Sequence, residues 1–494
     1  MDDNKEKNKK NQLFETVVEE NSSNNNYSSN DENLIPEEVS PDVTSPQESI
    51  LEGNSGLPSD TPPVFVENWN RYIFLIIGFS VFLILFFIIF RFLFSTKKTT
   101  KEISLTYWGL WEDKEIFEPL IADYQKKNPH VKINYQKMSP QDYREKLLVR
   151  TQNGQGPDIF RFHNTWIPQI KQILSPLPSS IMSNEEFEKT FYKIHQKDLK
   201  IDNNYYGLPL TIDGLVLICN FDLLKKAGIE SLPTTWDELI EMVPKLTVKD
   251  PSGKILTAGV ALGLASNVEH FSDIFALMLY QNGGDIKKLD SEEAVGALET
   301  YRRFAEGENS FWDETLPNSI TAFVQEKVAI IFAPSWQILL IKAANPEIKL
   351  KVLPVPSLPG ADPVSIANYW VEGVSKASRN QLEAWKFLRF LIEKENLTKF
   401  YELASRQRLF GEPYSRVDLG TILLQNEYLG AIIKQADYFV STPMISRTFD
   451  NGLNDEIIKY LENAINATVE GVSYQEALKT AQQGVNQVFE KYQL

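Results

Sequence analysis

Residues 72–90 run for nineteen positions without a charged side chain, and this run constrains the chain more than any other feature. A helix rises 1.5 Å per residue, so nineteen residues span about 30 Å, the thickness of a bilayer's hydrocarbon core. Phe92 to Phe94 extend the apolar character past Arg91, whose charge can snorkel to the interface. A core helix of a globular protein is seldom this apolar on every face. A cleaved signal peptide has a shorter apolar core and a small-residue cleavage site, and neither fits here. No cysteine stands beside the run to carry a lipid. The expectation is a single transmembrane helix over 71–95.

The stretch before it has a different character. Residues 1–70 hold fifteen Asp and Glu against four Lys, a net charge of −11 out of −16 for the whole chain. They are rich in Asn, Ser, Glu and Pro and poor in large apolar residues. Such a segment buries too little surface to offset its ordering entropy, so a disordered acidic tail is expected. An acidic chain with no Lys- and Arg-rich face is also a poor partner for nucleic acid, and none is expected. Cys219 is the one cysteine and lies in the apolar run Leu-Val-Leu-Ile-Cys, where a buried thiol is expected. One cysteine supports neither an intrachain disulfide nor a thiolate zinc cluster.

From about Lys101 the pattern becomes that of a wound α/β domain. Ile103, Leu105 and Tyr107 alternate with polar residues, as do Val131, Ile133 and Tyr135, which reads as two strands. Between them Ile116, Phe117, Leu120, Ile121 and Tyr124 share one helical face that ends at Asn128-Pro129. A second helix carries Tyr143, Leu147 and Leu148, and Pro157-Asp-Ile-Phe opens a third strand. Further strands are expected at 214–219, 328–332, 350–355 and 370–374. Capping boxes are expected at Thr235 with Glu238, Ser378 with Gln381 and Ser473 with Glu476. The last opens a long amphipathic helix with the stripe Ala477, Leu478, Ala481, Val485, Val488, Phe489 and Tyr492. A domain of this size exceeds one ordinary core, so two lobes are expected.

Five segments, in order, resemble the extracellular solute-binding proteins of the maltose-binding-protein-like family, the sugar-binding receptors of ABC importers. They are Leu105-Thr-Tyr-Trp-Gly-Leu-Trp; Gly156-Pro-Asp-Ile-Phe with Trp166; and Tyr206-Gly-Leu-Pro-Leu through Asn220-Phe-Asp-Leu-Leu-Lys-Lys-Ala-Gly to Leu232-Pro-Thr-Thr-Trp-Asp-Glu-Leu. Then come Phe323 to Trp336, ending Ala-Pro-Ser-Trp, and Val469-Glu-Gly-Val-Ser-Tyr-Gln-Glu-Ala-Leu. The resemblance covers 101–494 and leaves out 1–100, where many relatives carry a cleaved signal or a lipid anchor. It implies a two-lobed α/β fold of the periplasmic-binding-protein type II class, with hinge strands between the lobes. Lobe one would take about 101–210 and 369–411, and lobe two about 211–368 and 412–494. A small-molecule ligand, a sugar or oligosaccharide, would lie between them, and ABC importer permease subunits would be the protein partners. No cofactor is implied.

That job places 101–494 outside the cell and the tail in the cytoplasm. Local charge argues the other way, since Arg91, Lys97, Lys98 and Lys101 follow the span while only Arg71 immediately precedes it. Large C-terminal domains translocate regardless of such charges, so the external assignment is kept.

Sugar rings offer C–H faces to aromatic rings and hydroxyls to fixed polar groups, and ligands in open α/β sheets sit at the carboxyl ends of strands. Trp108, Trp111 and Glu112 follow the first strand, and Arg161, Asn164 and Trp166 follow the third, so both groups are candidate ligand contacts. Asp213 and the pair Tyr369 and Trp370 stand at expected crossings, and Trp336 matches a sugar-stacking position of the family. Trp236, Trp312 and Trp385 read as structural. His163 lacks the spacing of a metal site, and no metal is expected. No nucleophile elbow, P-loop, dinucleotide fingerprint or His-Glu-x-x-His is present, so no enzyme is expected. Plentiful carboxylates leave a glycosidase open on residue count alone. An extracellular ligand sensor or scaffold domain signalling to a partner protein is the alternative to a transport receptor.

Overall fold

The structure is a computed structural model and describes residues 77–87, 102–307 and 310–494. The acidic tail and the outer parts of the apolar run lie outside the described residues. Residues 77–87 form one helix with exposed apolar side chains, among them Phe82 and Phe86, which stack at 6.4 Å. Eleven residues reach only about 16 Å, and among the described residues no helix is long and apolar enough to cross a membrane. Residues 102–494 form one compact unit.

That unit is built on two five-stranded sheets. The first contains β1 (Ile103–Gly109), β2 (Val131–Lys137), β3 (Ile159–His163) and β4 (Leu208–Pro209). The second contains β5 (Leu215–Asn220), β6 (Val248–Lys249), β7 (Ile255–Val260), β8 (Val328–Pro334) and β9 (Leu350–Leu353). The chain then returns to the first sheet as β10 (Trp370–Val374). The orders are β2-β1-β3-β10-β4 and β9-β5-β8-β7-β6.

In the first sheet β1 runs parallel to β2, with Ile103 opposite Val131, and parallel to β3, with Tyr107 opposite Ile159. Along β2 the alternation is literal: Val131, Ile133 and Tyr135 are buried while Lys132 and Asn134 are exposed. The helix Lys114–Lys127 lays Ile116, Phe117, Leu120, Ile121 and Tyr124 on this core and stops at Asn128. β10 lies antiparallel to β3, so its first residue, Trp370, meets the carboxyl end of β3 at His163.

In the second sheet β5 and β8 are buried along their whole length, as continuous apolar strands require. They pair antiparallel with Ile330 opposite Cys219. Burial pushes the Cys219 thiol up to about 12, so it stays protonated. Trp236 is buried, stacks on Phe332 at 5.5 Å and donates from Nε1 to Gln281 Oε1. Thr235 and Glu238 form both arms of the capping box in front of it. Ser473 accepts from the Glu476 N–H to open the helix Tyr474–Tyr492.

Ser378 departs from expectation. The helix there begins at Gln381 with Asn380 at its N-cap and no side-chain cap bond. The Ser378 hydroxyl donates to Asp158 Oδ1, and Gln381 Oε1 accepts from Ser175. Tertiary partners have taken both side chains that a capping box would use.

The segments linking the sheets lie side by side. Thr211 pairs with Tyr414 and Gly214 with Ala367, while the Asn368 N–H donates to the Asp213 carbonyl at 2.9 Å. A Cβ on Gly214 would fall 2.3 Å from the Ile366 carbonyl oxygen, so only glycine permits this approach.

Candidate ligand-binding site

The carboxyl edge of the first sheet gathers aromatic rings. Trp111 stands in the turn after β1 and meets Trp370 edge to face, centroids 5.4 Å apart at 69°. Both are half-buried. Behind them Trp166, fully buried, touches Trp370 at 5.4 Å, and His163 reaches the same indole at 5.1 Å. Phe449 packs on Trp111 at 5.8 Å from a backbone held at φ 54°. Such left-handed conformations cost of order 1–3 kcal/mol outside glycine. Arg447 and Asn451 share that conformation, so the turn is held by its surroundings. Asp450 supplies part of that hold, accepting from Gln169 Nε2 at 2.7 Å and from the Asn454 N–H at 2.9 Å.

The structure does not leave every expected contact on an open surface. Trp108 is 4% exposed and donates from Nε1 to Gln136. Trp166 is buried completely, because β3 ends in a turn that folds its ring back onto Tyr143. Glu112 and Arg161 were expected at the rim but lie inside, 2% and 3% exposed. Arg161 binds Glu112 through Nη1 and Glu372 through Nε at 2.7 Å and Nη2 at 2.6 Å. Burial alone would lower the guanidinium's pKa, but the two carboxylates carry it well above its ordinary value. Its donors are therefore engaged by protein.

Asn164 and Tyr369 converge on another carboxylate, which is partly buried. Asn164 Nδ2 donates to Asp198 at 3.0 Å and to Ser441 at 2.8 Å, and the Tyr369 hydroxyl donates to Asp198 at 2.8 Å. Burial raises the Asp198 carboxyl above its usual range, against the pull of these donors. Tyr369 is 1% exposed and so reinforces the crossing strand. His163 sits between Thr165 Oγ1 at 2.8 Å and Asn368 Oδ1 at 3.1 Å. Burial lowers its pKa to about 4, so it is neutral near pH 7. Among the described residues no group of His, Cys, Asp and Glu is arranged to hold a metal.

Asp213 and Trp336 form a second focus beside the crossings. Asp213 accepts from the backbone N–H of Gly214 at 2.7 Å, of Ser335 at 3.2 Å and of Trp336 at 3.4 Å. Burial nevertheless pushes its carboxyl up to about 7. Trp336 opens the helix Trp336–Ala344, is half-buried and points an edge toward His270 at 5.9 Å.

Glu372, Asp198, Ser441 and Phe449 were not anticipated. Glu372 lies two residues beyond Trp370 on one strand, and strand period places both on one face, so that signal was available. Phe449 sits in an irregular turn with no periodicity to reveal it.

Comparison with known proteins bears on the family and the fold. The family model described as "Bacterial extracellular solute-binding protein" matches residues 108–397. The chain is 25% identical over 358 residues to the maltodextrin-binding protein of Bacillus subtilis (strain 168), covering 67% of this chain and 78% of that one. It is 22% identical over 402 residues to the maltotriose-binding protein of Pyrococcus abyssi (strain GE5 / Orsay), covering 75% and 80%. Among solved structures, an ABC transporter solute-binding protein from Thermotoga lettingae bound with α-D-tagatose superposes with a TM-score of 0.60 at 23% identity. That match covers 78% of this chain and all of the other. At that identity the likeness concerns the fold: two α/β lobes of the solute-binding type.

Proposed function

The chain belongs to the bacterial extracellular solute-binding protein family, and from that premise we propose that it captures a neutral carbohydrate between its lobes and hands it to an ABC importer. The observation that carries this reading is the half-buried Trp111–Trp370 pair at the carboxyl edge of the first sheet. Edge-to-face indoles leave a ring face for sugar C–H groups, and such contacts discriminate little by charge. Trp336, beside the crossing strands, would supply the platform from lobe two. Asp213, buried against the N-terminus of the helix Trp336–Ala344, would accept from a sugar hydroxyl. Trp108, Glu112, Arg161, Asn164, Trp166 and Tyr369 would act from behind, fixing the wall. Relatives whose names specify maltodextrin and maltotriose favour an oligosaccharide over other solutes.

In this reading lobe one takes about 101–210 and 369–411, and lobe two about 211–368 and 412–494. The protein binds and releases its cargo unaltered, with no catalytic step. Residues 72–90 would span the membrane, with the tail inside and the domain outside, which raises the receptor's effective concentration at its importer. Protease added to intact cells should remove the domain and spare the tail; the reverse pattern would refute this topology. Calorimetry on the full chain in detergent, against maltooligosaccharides, chitooligosaccharides, peptides and anionic solutes, tests the ligand class. Heat from a neutral glycan is expected; heat from peptides or anions alone would overturn the assignment.

A further inference from the structure

Arg161 and Glu372 face each other across β3 and β10, two residues along from His163 and Trp370. Side chains two residues apart on a strand share a face, so the ion pair lies about 7 Å beneath the aromatic pair. Glu112 joins from the turn after β1, immediately following Trp111. The turn is held from its other side too, since the Tyr135 hydroxyl donates to the Glu112 carbonyl at 2.7 Å. All three charged side chains are at most 3% exposed.

Three charges inside a sheet are not needed for stability. Taking ions out of water is costly, and replacing a whole buried ion cluster with well-packed hydrophobic residues of similar volume is often neutral or stabilising. Two carboxylates share one guanidinium here, and burial raises the Glu372 carboxyl. What the cluster supplies is direction. A planar guanidinium offers donors on fixed axes, so the β1 turn can dock on β3 and β10 in one orientation only. Apolar packing would hold the turn without fixing its rotation.

We propose that Glu112, Arg161 and Glu372 are positioning residues that set Trp111 against Trp370 and so pre-form the ligand wall. This rests on the carbohydrate reading for its consequence but not for its geometry. A preorganised wall avoids ordering cost at the moment of binding, so loosening it should weaken affinity without removing any ligand contact.

The test uses the full chain carrying Glu112→Met, Arg161→Met and Glu372→Met together, with Arg161→Lys as a second variant that keeps the charge but not the fork. The ligand-free readout is the exciton signal of the Trp111–Trp370 contact in circular dichroism, identified by its loss in Trp111→Phe. The binding readout is calorimetric titration with maltotriose. The triple variant should melt no lower than the parent, lose most of that exciton signal and bind maltotriose at least tenfold more weakly. Arg161→Lys should also lose signal and affinity. A triple variant that keeps the parental signal overturns the proposal. One that melts far below the parent makes the cluster a stability element and overturns it equally. If the parent itself ignores maltotriose and other glycans, the carbohydrate reading fails while the exciton arm still decides the positioning role.

Discussion

The two sheets have the same number of strands and solve their interiors in opposite ways. In the second sheet β5 reads Leu-Val-Leu-Ile-Cys-Asn and β8 reads Val-Ala-Ile-Ile-Phe-Ala-Pro, and every residue of both is buried. In the first sheet β3 reads Ile-Phe-Arg-Phe-His and is also buried throughout, but two of its five residues are polar. One sheet is a scaffold whose order comes from packing. The other carries an ion cluster and a neutral histidine at the edge where aromatic rings gather. The difference teaches how the two sheets are ordered: the second by apolar packing along its central strands, the first by apolar packing together with a buried ion cluster beside its carboxyl edge.

The comparison breaks most visibly if one charge is removed alone. Arg161→Ala strands two buried carboxylates, and about 3–5 kcal/mol of stability should be lost in a denaturant titration. In the scaffold sheet, Ile330→Ala removes apolar volume with no relief available from repacking polar groups. It should cost about 2–4 kcal/mol yet leave affinity per folded molecule unchanged. A similar loss of affinity in both variants would erase the distinction between the sheets. Thr235→Ala removes one arm of an exposed cap and should cost about 1 kcal/mol, with no effect on binding.

Titration sharpens the same contrast. The folded pKa of His163 is about 4, below its ordinary value. The stability it contributes as a neutral ring is therefore complete above about pH 6.5 and is lost as pH falls toward 4. Asp213 works in the opposite sense. Its carboxyl, raised to about 7, weakens the fold at neutral pH and above, and that cost is relieved as pH falls. Imidazole shifts followed by NMR should place the His163 midpoint near 4. A midpoint near 6.5 would mean that water reaches the ring and that the aromatic wall is not packed as described.

Much of the fold was legible because its signals are local. Strand alternation in β2, the stripe of the helix Lys114–Lys127 and the Thr235 box each depend on neighbours a few residues away. Trp111 and Trp370 lie at strand ends and are half-buried, whereas Trp108 and Trp166, read by the same rule, are buried. What was not legible depends on distant partners. Arg161 meets Glu372 across 211 residues, and Ser378 leaves its expected cap for Asp158 across 220. No periodicity reports such meetings. The same distance explains why Arg161 and Glu112 read as rim residues: a charge near a strand end resembles a ligand contact until its internal partner is known. Phe449 was hidden for another reason, since three left-handed residues in its turn erase any repeating pattern.

The central claim, a sugar held against indoles, is tested most directly by titrating the full chain and Trp336→Ala with the same oligosaccharide panel while recording thermal melts. Trp336 is half-buried at a helix start and has little packing to lose. The variant should melt close to the parent and bind at least about 1 kcal/mol more weakly, roughly fivefold. A Trp336→Ala protein that melts far below the parent but binds glycan with parental affinity would contradict the account.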